Sequence, residues 1–262
     1  MKKKLILKKK KVALFLNNNA GIDIFNYFIR LKSSKIICIY LTDRKSHASK
    51  FILEKISKQN IRIFFGKKVL ENKSHLSWIK KQSIDFMITV YWPWLIKKNY
   101  LNTCKNSINF HPAYLPKNRG WYPHVNNILD NSVPGVTLHK IDEGIDTGPI
   151  WCQKKIPLKE NETSYDLYIK LEEEIVKLFK SNWIKICNNK IKLKKQNNKI
   201  ASYNSKFKLD TIDNLNINNK ITIGEFIKIL KARSFNNKGF AYYKKNGKKF
   251  YLNLRISENR SF

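Results

Sequence analysis

Residues 11–41 read KVALFLNNNAGIDIFNYFIRLKSSKIICIYL, and this stretch decides the fold class. Its first seven residues are mostly apolar, which predicts a buried strand over 11–17. Apolar residues then recur at steps of three and four, which predicts a helix over 20–33. A second apolar run fills 35–41. A strand, a helix and another strand in this order indicate a βαβ unit with parallel strands and a right-handed crossover.

The same alternation continues as far as residue 92. Residues 47–60 and 71–82 have helical periodicity, while IRIFF (61–65) and IDFMITVYW (84–92) are typical of strands. We therefore expect an α/β protein with a Rossmann-like, mostly parallel sheet. The turn after the first strand holds Gly21 but no GxGxxG pattern, so it does not predict a dinucleotide site.

The second half of the chain continues the sheet and then changes character. The predicted elements are a strand at 106–110, two strands within 133–158, a helix over 163–187, a helix over 222–232 and a hairpin over 239–256 with an Asn-Gly turn. A polar linker follows Ala201 and precedes the helix over 222–232. We expect a large domain over 1–200 and a small subdomain, a helix and a β-hairpin, over 201–262.

The charge of the chain is high but dispersed. The 262 residues carry a formal charge of +33, from 52 Lys and Arg against 19 Asp and Glu. Only seven of the 52 basic residues are Arg, and the lysines are spread along the whole chain. This pattern favours a solvated lysine coat over a nucleic-acid groove, so we do not expect nucleic acid as a partner. The alternative is that part of the coat steers an anionic substrate.

The cysteine and hydropathy patterns exclude several classes of protein. Cys38, Cys104, Cys152 and Cys187 lie far apart with no CxxC, which predicts neither a disulfide framework nor a metal site. No apolar run reaches the roughly 18 residues of a membrane span. The lysine-rich leader contains only three consecutive apolar residues, too few for a signal peptide. We expect a cytoplasmic protein with no membrane partner.

The densest group of reactive polar residues is formed by Asn109 and His111, with Asp146 farther along the chain. Side chains two apart on a strand share a face, so the first two project together. An amide can hold an oxygen that gains negative charge, and an imidazole can relay a proton near neutral pH. A carboxylate from another loop can raise the basicity of the imidazole. The alternative is that His111, beside Pro112, is a turn residue satisfied by the backbone.

The loop YWPWL (91–95) follows the fourth predicted strand. Open α/β sheets bind ligands at the carboxyl ends of their strands, so this aromatic loop is a candidate wall for a flat ligand. An ordinary aromatic cluster at the end of a strand is the alternative.

Three ordered motifs resemble those of the folate-dependent formyltransferases. They are NFHPAYLP (109–116) with NRG (118–120), GVTLH (135–139) and DEGIDTGPI (142–150). That family joins an Asn-x-His-Pro segment to a Gly-Val-Thr-x-His strand and an Asp-x-Gly loop. The resemblance implies a Rossmann-like formyltransferase fold with its catalytic domain over 1–200. It also implies transfer of a formyl group from 10-formyltetrahydrofolate to a primary amine, without a metal.

The resemblance also implies roles for the matched residues. Asn109, His111 and Asp146 correspond to the catalytic triad, in which the first two hold the oxyanion and the third orients the imidazole and helps remove the amine proton. The implied folate-pocket residues are Tyr91, Trp92, Pro93, Asp142 and Gly144. The implied substrate-binding residues are Tyr114, Lys117, Asn118, Arg119 and Tyr122. His139 is expected to be structural.

Arg119 and Lys117 are the candidates for the diphosphate or the sugar, because a guanidinium meets phosphate oxygens with two parallel hydrogen bonds. The alternative is that Arg119 pairs with a carboxylate and only shapes its loop.

The accepting amine differs within this family, and the flanking motifs favour a sugar. LPKNRGWYP (115–123), LKARSF (230–235) and GFAYY (239–243) resemble segments of nucleotide-sugar N-formyltransferases. The resemblance implies a dTDP-linked amino-dideoxy sugar as the substrate, a role in lipopolysaccharide O-antigen biosynthesis and a homodimer with the hairpin as a contact. Ala113 stands where the family usually has Ser. The position of the amine and the nucleotide base stay open. The rivals are a methionyl-tRNA formyltransferase and a non-enzymatic basic nucleic-acid-binding protein with a formyltransferase-like shell.

Overall fold

Strands and helices alternate through the first part of the chain. The protein's structure, a computed structural model, describes residues 9–56 and 59–257. The elements of this part are β1 (Lys10–Leu16), α1 (Asn18–Arg30), β2 (Ser34–Leu41), α2 (His47–Ile56), β3 (Arg62–Phe65), α3 (Lys73–Lys81), β4 (Ile84–Val90), α4 (Lys98–Leu101) and β5 (Cys104–His111). Every helix and strand expected here is found, with ends shifted by a few residues. The helix predicted over 47–60 is helical to Ile56, and residues 57 and 58 lie outside the described residues.

The later elements include several that the sequence pattern did not predict. The full set of later elements is β6 (Arg119–Gly120), α5 (Pro123–Leu129), β7 (Gly135–His139), β8 (Ile150–Lys155), α6 (Ser164–Cys187), β9 (Tyr203–Asn204), α7 (Asp210–Asp213), β10 (Asn214–Leu215), α8 (Ile223–Arg233), β11 (Ser234–Phe235), β12 (Lys238–Gly239), β13 (Tyr242–Lys245) and β14 (Lys248–Tyr251). Of these, β6, β9, α7, β10, β11 and β12 were not predicted. The prediction of a polar linker after Ala201 was wrong, because β9, α7 and β10 lie there. The strands β9 and β10 pair with β6 and β13, which are distant in sequence and leave no local signal.

One seven-stranded sheet has the order β3-β2-β1-β4-β5-β7-β8. The pairs that join β1 to β2, β1 to β4, β2 to β3 and β4 to β5 are parallel. The chain therefore runs outward from β1 to β3, returns to β4 and continues in the other direction. The sequence prediction of a mostly parallel, Rossmann-like sheet is confirmed. Such a reversal of strand order, here between β1 and β4, opens a crevice at the carboxyl ends of the strands.

The apolar run of β1 is buried because helices and loops cover both faces of the sheet. Val12 to Leu16 are all at most 1% exposed, as expected for a central parallel strand. On one face Phe15 stacks on Tyr40 with the ring centroids 3.9 Å apart. Elsewhere in the core Trp183 of α6 packs against Phe28 and Phe86 at centroid distances of 5.3 and 4.9 Å.

The C-terminal helix and hairpin follow their local sequence closely. Thr222 and Glu225 form a capping box at the start of α8, which satisfies two backbone groups at once. Asn246 and Gly247 both have positive φ, 50° and 73°, as the tight hairpin turn between β13 and β14 requires. The predicted helix and hairpin are therefore found.

Contacts divide the described chain into two units. The first holds the residues up to His111 together with Leu138–Cys152 and Val176–Lys195, and the second holds Pro112–Thr137, Gln153–Ile175 and the residues from Gln196 onward. The domain boundary expected near residue 200 stays a prediction. Among the described helices, none combines the length and apolar character that crossing a membrane requires.

Candidate active site

Three neighbouring strands, β4, β5 and β7, place polar side chains together at the tip of β5. Asn109 and His111 are two residues apart on β5, so they share one face. The register of the parallel pair sets Thr89 of β4 opposite Asn109. His139 is the last residue of β7, which neighbours β5 in the sheet. All four positions belong to the first unit.

Asp146 joins this group from the loop between β7 and β8. Its Oδ2 lies 3.4 Å from Nδ1 of His111, and its Oδ1 lies 3.3 Å from Nε2 of His139. The two histidines are 4% and 2% exposed. One carboxylate thus faces two buried imidazole rings.

The amide of Asn109 is held in one orientation. Its Oδ1 accepts a hydrogen bond of 2.6 Å from the hydroxyl of Thr89. Its Nδ2 donates to Oδ1 of Asp146 at 3.2 Å and lies 3.0 Å from Nε2 of His139. A reversed amide would turn its oxygen toward a carboxylate, so these contacts fix the NH₂ group on the side of Asp146.

His139 lies within the cluster, and the expectation that its role is structural stays a prediction. Its Nδ1 lies 2.9 Å from the backbone oxygen of Lys140. A carbonyl oxygen only accepts, so Nδ1 carries the proton and Nε2 of the neutral ring accepts from Asn109. The sequence did hold a signal, because His139 ends the predicted strand that follows the Asn109 motif. Thr89 was also missed, since only strand register brings it to Asn109.

The loop that carries Asp146 is shaped by its own side chains. Asp142 Oδ1 accepts from the hydroxyl of Thr147 at 2.6 Å and from the backbone N–H of Gly144 at 3.2 Å. Asp146 itself has a positive φ of 54°. A Cβ on Gly148 would lie 1.7 Å from the backbone oxygen of Lys140, so only glycine fits there. These contacts aim the Asp146 carboxylate at the strand tip.

The residues expected to line a folate pocket lie in the first unit. Trp92 packs edge-on against Phe15 and Trp94, with centroids 5.1 and 4.9 Å apart. Its indole Nε1 is buried and has no hydrogen-bond partner among the described residues. Tyr91, with a φ of 52°, accepts from Asn17 Nδ2 through its backbone oxygen at 3.2 Å. Aromatic rings beside an unused donor fit a flat heterocycle with polar edges. Pro93 follows in the same loop.

The residues expected to bind the substrate all lie in the second unit. Lys117 is exposed, whereas Tyr114 and Tyr122 are half-buried. The Lys155 ammonium lies 5.4 Å from the centroid of the Tyr114 ring. Tyr122 has a positive φ of 52° and precedes the first turn of α5. The five residues expected to bind the substrate therefore lie on one short stretch, from Tyr114 to Tyr122.

Arg119 and Asn118 are buried rather than open to solvent. Arg119 is 8% exposed, and its Nη2 donates at 2.8 Å both to Gln196 Oε1 and to Asn198 Oδ1. Asn118 is 0% exposed, and its side chain bonds Ser132 and Asn204, each at 2.8 Å. Both side chains therefore anchor their own loop, and their contact with a substrate stays a prediction.

No group of three or more His, Cys, Asp or Glu side chains within residues 9–56 and 59–257 is arranged to hold a metal ion. The four cysteines are free, and burial raises the pKa of the Cys38 and Cys152 thiols to about 12. Thiols with such pKa values stay protonated and unreactive.

Comparison with known families gives two matches. Residues 32–181 match the family described as formyl transferase. Residues 208–258 match the N-formyltransferase dimerization C-terminal domain. The stretch 182–207 lies between the two matched ranges.

Several known proteins are similar to this chain. The dTDP-4-amino-4,6-dideoxyglucose formyltransferase of Mycobacterium tuberculosis is 28% identical over 154 residues, 58% of this chain and 65% of that protein. The match therefore spans less than two thirds of that relative. The methionyl-tRNA formyltransferase of Thermosipho melanesiensis is 37% identical over 134 residues, 50% of this chain and 42% of that protein.

Two solved structures extend the similarity to almost the whole chain. A 4-N formyltransferase from Francisella tularensis superposes with a TM-score of 0.81 at 26% identity, over 95% of this chain and 99% of that one. An N-formyltransferase from Helicobacter canadensis, solved with folinic acid and dTDP-3-aminofucose, gives a TM-score of 0.67 at 27% identity, over 92% and 86% of the two chains.

Proposed function

The chain belongs to the formyl transferase family, and from this premise we propose that it transfers the formyl group of 10-formyltetrahydrofolate to the amino group of a dTDP-linked amino-dideoxy sugar. The observation that carries the proposal is the cluster of Asn109, His111 and His139 around the Asp146 carboxylate. It brings together a fixed amide donor, two imidazoles and one carboxylate, which are the groups that acyl transfer to an amine needs.

The chemistry of the reaction divides among these residues. In the overall reaction the bond between the formyl carbon and N10 of 10-formyltetrahydrofolate breaks, a bond between that carbon and the amine forms, and N10 gains the proton that the amine loses. Asn109 donates to the oxygen that gains negative charge through the N–H that otherwise contacts Asp146 Oδ1 at 3.2 Å, while its other N–H stays on Nε2 of His139. We assign Nε2 of His111 to the same oxygen, because its Nδ1 faces the carboxylate at 3.4 Å. Asp146 stabilises the charged imidazole and accepts the proton that the amine loses.

His139 limits how the Asn109 amide can move. Its Nδ1 is committed to the Lys140 carbonyl, so the ring is oriented from behind. Its Nε2 then accepts from Asn109 Nδ2 at 3.0 Å. We propose that this contact keeps the NH₂ group directed at the reacting oxygen.

The folate site that we propose is the wall formed by Tyr91, Trp92 and Pro93, with Asp142 and Gly144 shaping the neighbouring loop. The unused Nε1 donor of Trp92 supports a ligand with acceptor atoms at its edge. The nucleotide sugar is assigned to the Tyr114–Tyr122 stretch, where the exposed ammonium of Lys117 is suited to an anionic diphosphate.

The choice of a sugar over tRNA rests on the C-terminal part of the chain. Its match to the N-formyltransferase dimerization domain covers residues 208–258. The similarity to the Helicobacter canadensis protein, solved with dTDP-3-aminofucose, covers 92% of this chain. In sequence, the match to the dTDP-4-amino-4,6-dideoxyglucose formyltransferase covers 58% of this chain and the match to the methionyl-tRNA formyltransferase covers 50%.

The proposed activity is tested by incubating the protein with 10-formyltetrahydrofolate and a panel of 3-amino and 4-amino sugars on dTDP, UDP and GDP. We expect one dTDP-sugar to gain the mass of one CO unit, as read by mass spectrometry. The variant His111→Ala is expected to lose roughly 10²–10⁴-fold in rate. Formylation of none of these sugars would refute the proposal.

The same experiment includes initiator methionyl-tRNA as a second acceptor. Formylation of this tRNA, with binding that weakens steeply as salt rises, would instead support the tRNA enzyme. Sugar formylation that His111→Ala leaves unchanged would support a binding protein with a formyltransferase-like shell.

We also propose that the protein is a homodimer formed through its C-terminal region. Ile223, Phe226 and Ile227 follow the i, i+3, i+4 spacing of one helix face, yet they are 79%, 37% and 39% exposed. Phe250 and Tyr251 of β14 are exposed as well. Exposed apolar residues that share one helix face are typical of an interaction site, and all five residues lie within the matched dimerization domain.

A cytoplasmic location and a role in lipopolysaccharide O-antigen assembly complete the proposal. The role rests on the sequence resemblance, and the location is the expectation drawn from the hydropathy pattern. Deletion of the gene, followed by analysis of the surface glycan for loss of its N-formyl groups, tests the role.

A further inference from the structure

A short loop, residues 117–122, has an unusual backbone. Asn118, Gly120 and Tyr122 all have positive φ, at 56°, 88° and 52°. Asparagine and glycine tolerate this left-handed region, whereas tyrosine adopts it rarely. A backbone of this kind persists only where neighbouring structure holds it. The same loop carries Lys117 and Arg119, so its shape matters for the proposed binding of the nucleotide sugar.

The structure that holds this loop comes from residues 196–204, outside both matched family ranges. Three backbone hydrogen bonds connect the two segments: Arg119 N–H to Ser202 O at 2.9 Å, Trp121 N–H to Asn204 O at 2.9 Å and Ser202 N–H to Pro116 O at 3.2 Å. The contact is so close that a Cβ on Gly120 would lie 2.5 Å from the Asn204 oxygen.

Side chains of the same segment reinforce this contact. Ser202 Oγ accepts from the backbone N–H of Asn118 at 2.9 Å. Asn204, only 3% exposed, donates through Nδ2 to Asn118 Oδ1 at 2.8 Å. Lys208 in turn donates to Asn204 Oδ1 at 2.6 Å. Gln196 and Asn198 accept from the Arg119 guanidinium. A buried polar network in which the members satisfy one another makes a segment rigid.

We propose that Ser202 and Asn204 are positioning residues that hold the 117–122 loop in the conformation that binds the nucleotide sugar; this rests on the proposed function. They act through Asn118 and the backbone of the loop. A loop that is ordered before binding loses less conformational entropy when the ligand arrives. Removing the contacts of Ser202 or Asn204 with Asn118 should therefore weaken binding of the nucleotide sugar and leave the cluster around Asp146 unchanged.

The chain offers a matched pair of serines for the test. Ser202 Oγ accepts from the Asn118 N–H at 2.9 Å, and Ser234 Oγ accepts from the Leu254 N–H at 2.8 Å. Each Ser→Ala change removes one acceptor of a backbone N–H. Ser234 makes no described side-chain contact with residues 117–122, so Ser234→Ala controls for a loss of stability alone.

The experiment measures kcat, the KM for the nucleotide sugar and the KM for 10-formyltetrahydrofolate in the wild type, Ser202→Ala, Ser234→Ala and Asn204→Ala. For Ser202→Ala and Asn204→Ala we expect the sugar KM to rise about 5–30-fold, the change produced by one to two hydrogen bonds. We expect kcat and the folate KM to stay within about twofold. If Asn204→Ala fails to fold, Ser202→Ala decides.

Three results would overturn the inference, and they are distinguishable. A wild type that formylates no nucleotide amino sugar overturns the proposed function and this inference with it. A wild type that is active, with a sugar KM that Ser202→Ala raises no more than Ser234→Ala does, overturns this inference alone. Equal changes in both KM values also overturn it, because a general structural role would cause them.

Discussion

Replacing Thr89 by valine should slow formyl transfer by removing one contact behind the active site. The Thr89 hydroxyl donates to Asn109 Oδ1 at 2.6 Å, and Thr89 is only 2% exposed. Valine has nearly the same shape but no donor. The Asn109 oxygen then loses this partner, and the amide loses one of the contacts that fix its orientation.

The expected fall in kcat follows from the contacts that Asn109 keeps in Thr89→Val. The NH₂ group of Asn109 still faces Asp146 and His139, at 3.2 and 3.0 Å. A full reversal of the amide therefore stays unfavourable, and the loss is confined to one hydrogen bond between neutral groups, about 0.5–1.5 kcal/mol. With a tenfold rate change for each 1.36 kcal/mol, we expect kcat to fall by about 2–13-fold.

The assay compares Thr89→Val with Thr89→Ser, which keeps the hydroxyl. We expect Thr89→Ser to retain most of the wild-type kcat and both variants to keep their KM values. Urea unfolding provides the stability of each variant. The reasoning is refuted if Thr89→Val turns over as fast as the wild type, or if Thr89→Ser loses as much activity as Thr89→Val.

Three further changes test other parts of the structure. Burial, with a smaller effect of the Arg233 charge, lowers the pKa of His124 from its ordinary 6.5 to about 3. Below pH 6.5 the unfolded chain therefore gains a proton that the folded protein does not. As the pH falls from 6.5 toward 3, the free energy of unfolding should fall by up to about 1.4 kcal/mol per pH unit. His124→Phe should remove this slope in urea titrations at pH 7 and 5, and an unchanged slope would contradict it. Gly148→Ala should displace the Lys140 carbonyl, 1.7 Å from the new Cβ, and cost roughly 100-fold in kcat; wild-type turnover would show that the loop yields. Ile227→Glu should convert a dimer into a monomer in light scattering, and an unchanged mass would place the interface elsewhere.

The sequence by itself determined the sheet and indicated three polar groups that the structure brings together. Hydrophobic periodicity located β1 to β5 because buried parallel strands need continuous apolar runs. The motif around Asn109 and His111 could be recognised because two residues on one strand share a face whatever the rest of the fold does. The Asn-Gly turn and the capping box of α8 were likewise local, so the sequence was sufficient for the hairpin and the helix.

Only the tertiary structure decided which other groups meet this motif. Thr89 reaches Asn109 through the register of β4 against β5, and His139 reaches Asp146 because β7 lies beside β5 in the sheet. The segment after Ala201, expected to be a linker, contains Ser202 and Asn204, which contact the 117–122 loop. They reach it because β9 pairs with β6, more than eighty residues earlier in the chain. Such contacts depend on strand pairing between distant segments, and local propensity and spacing carry no record of that pairing.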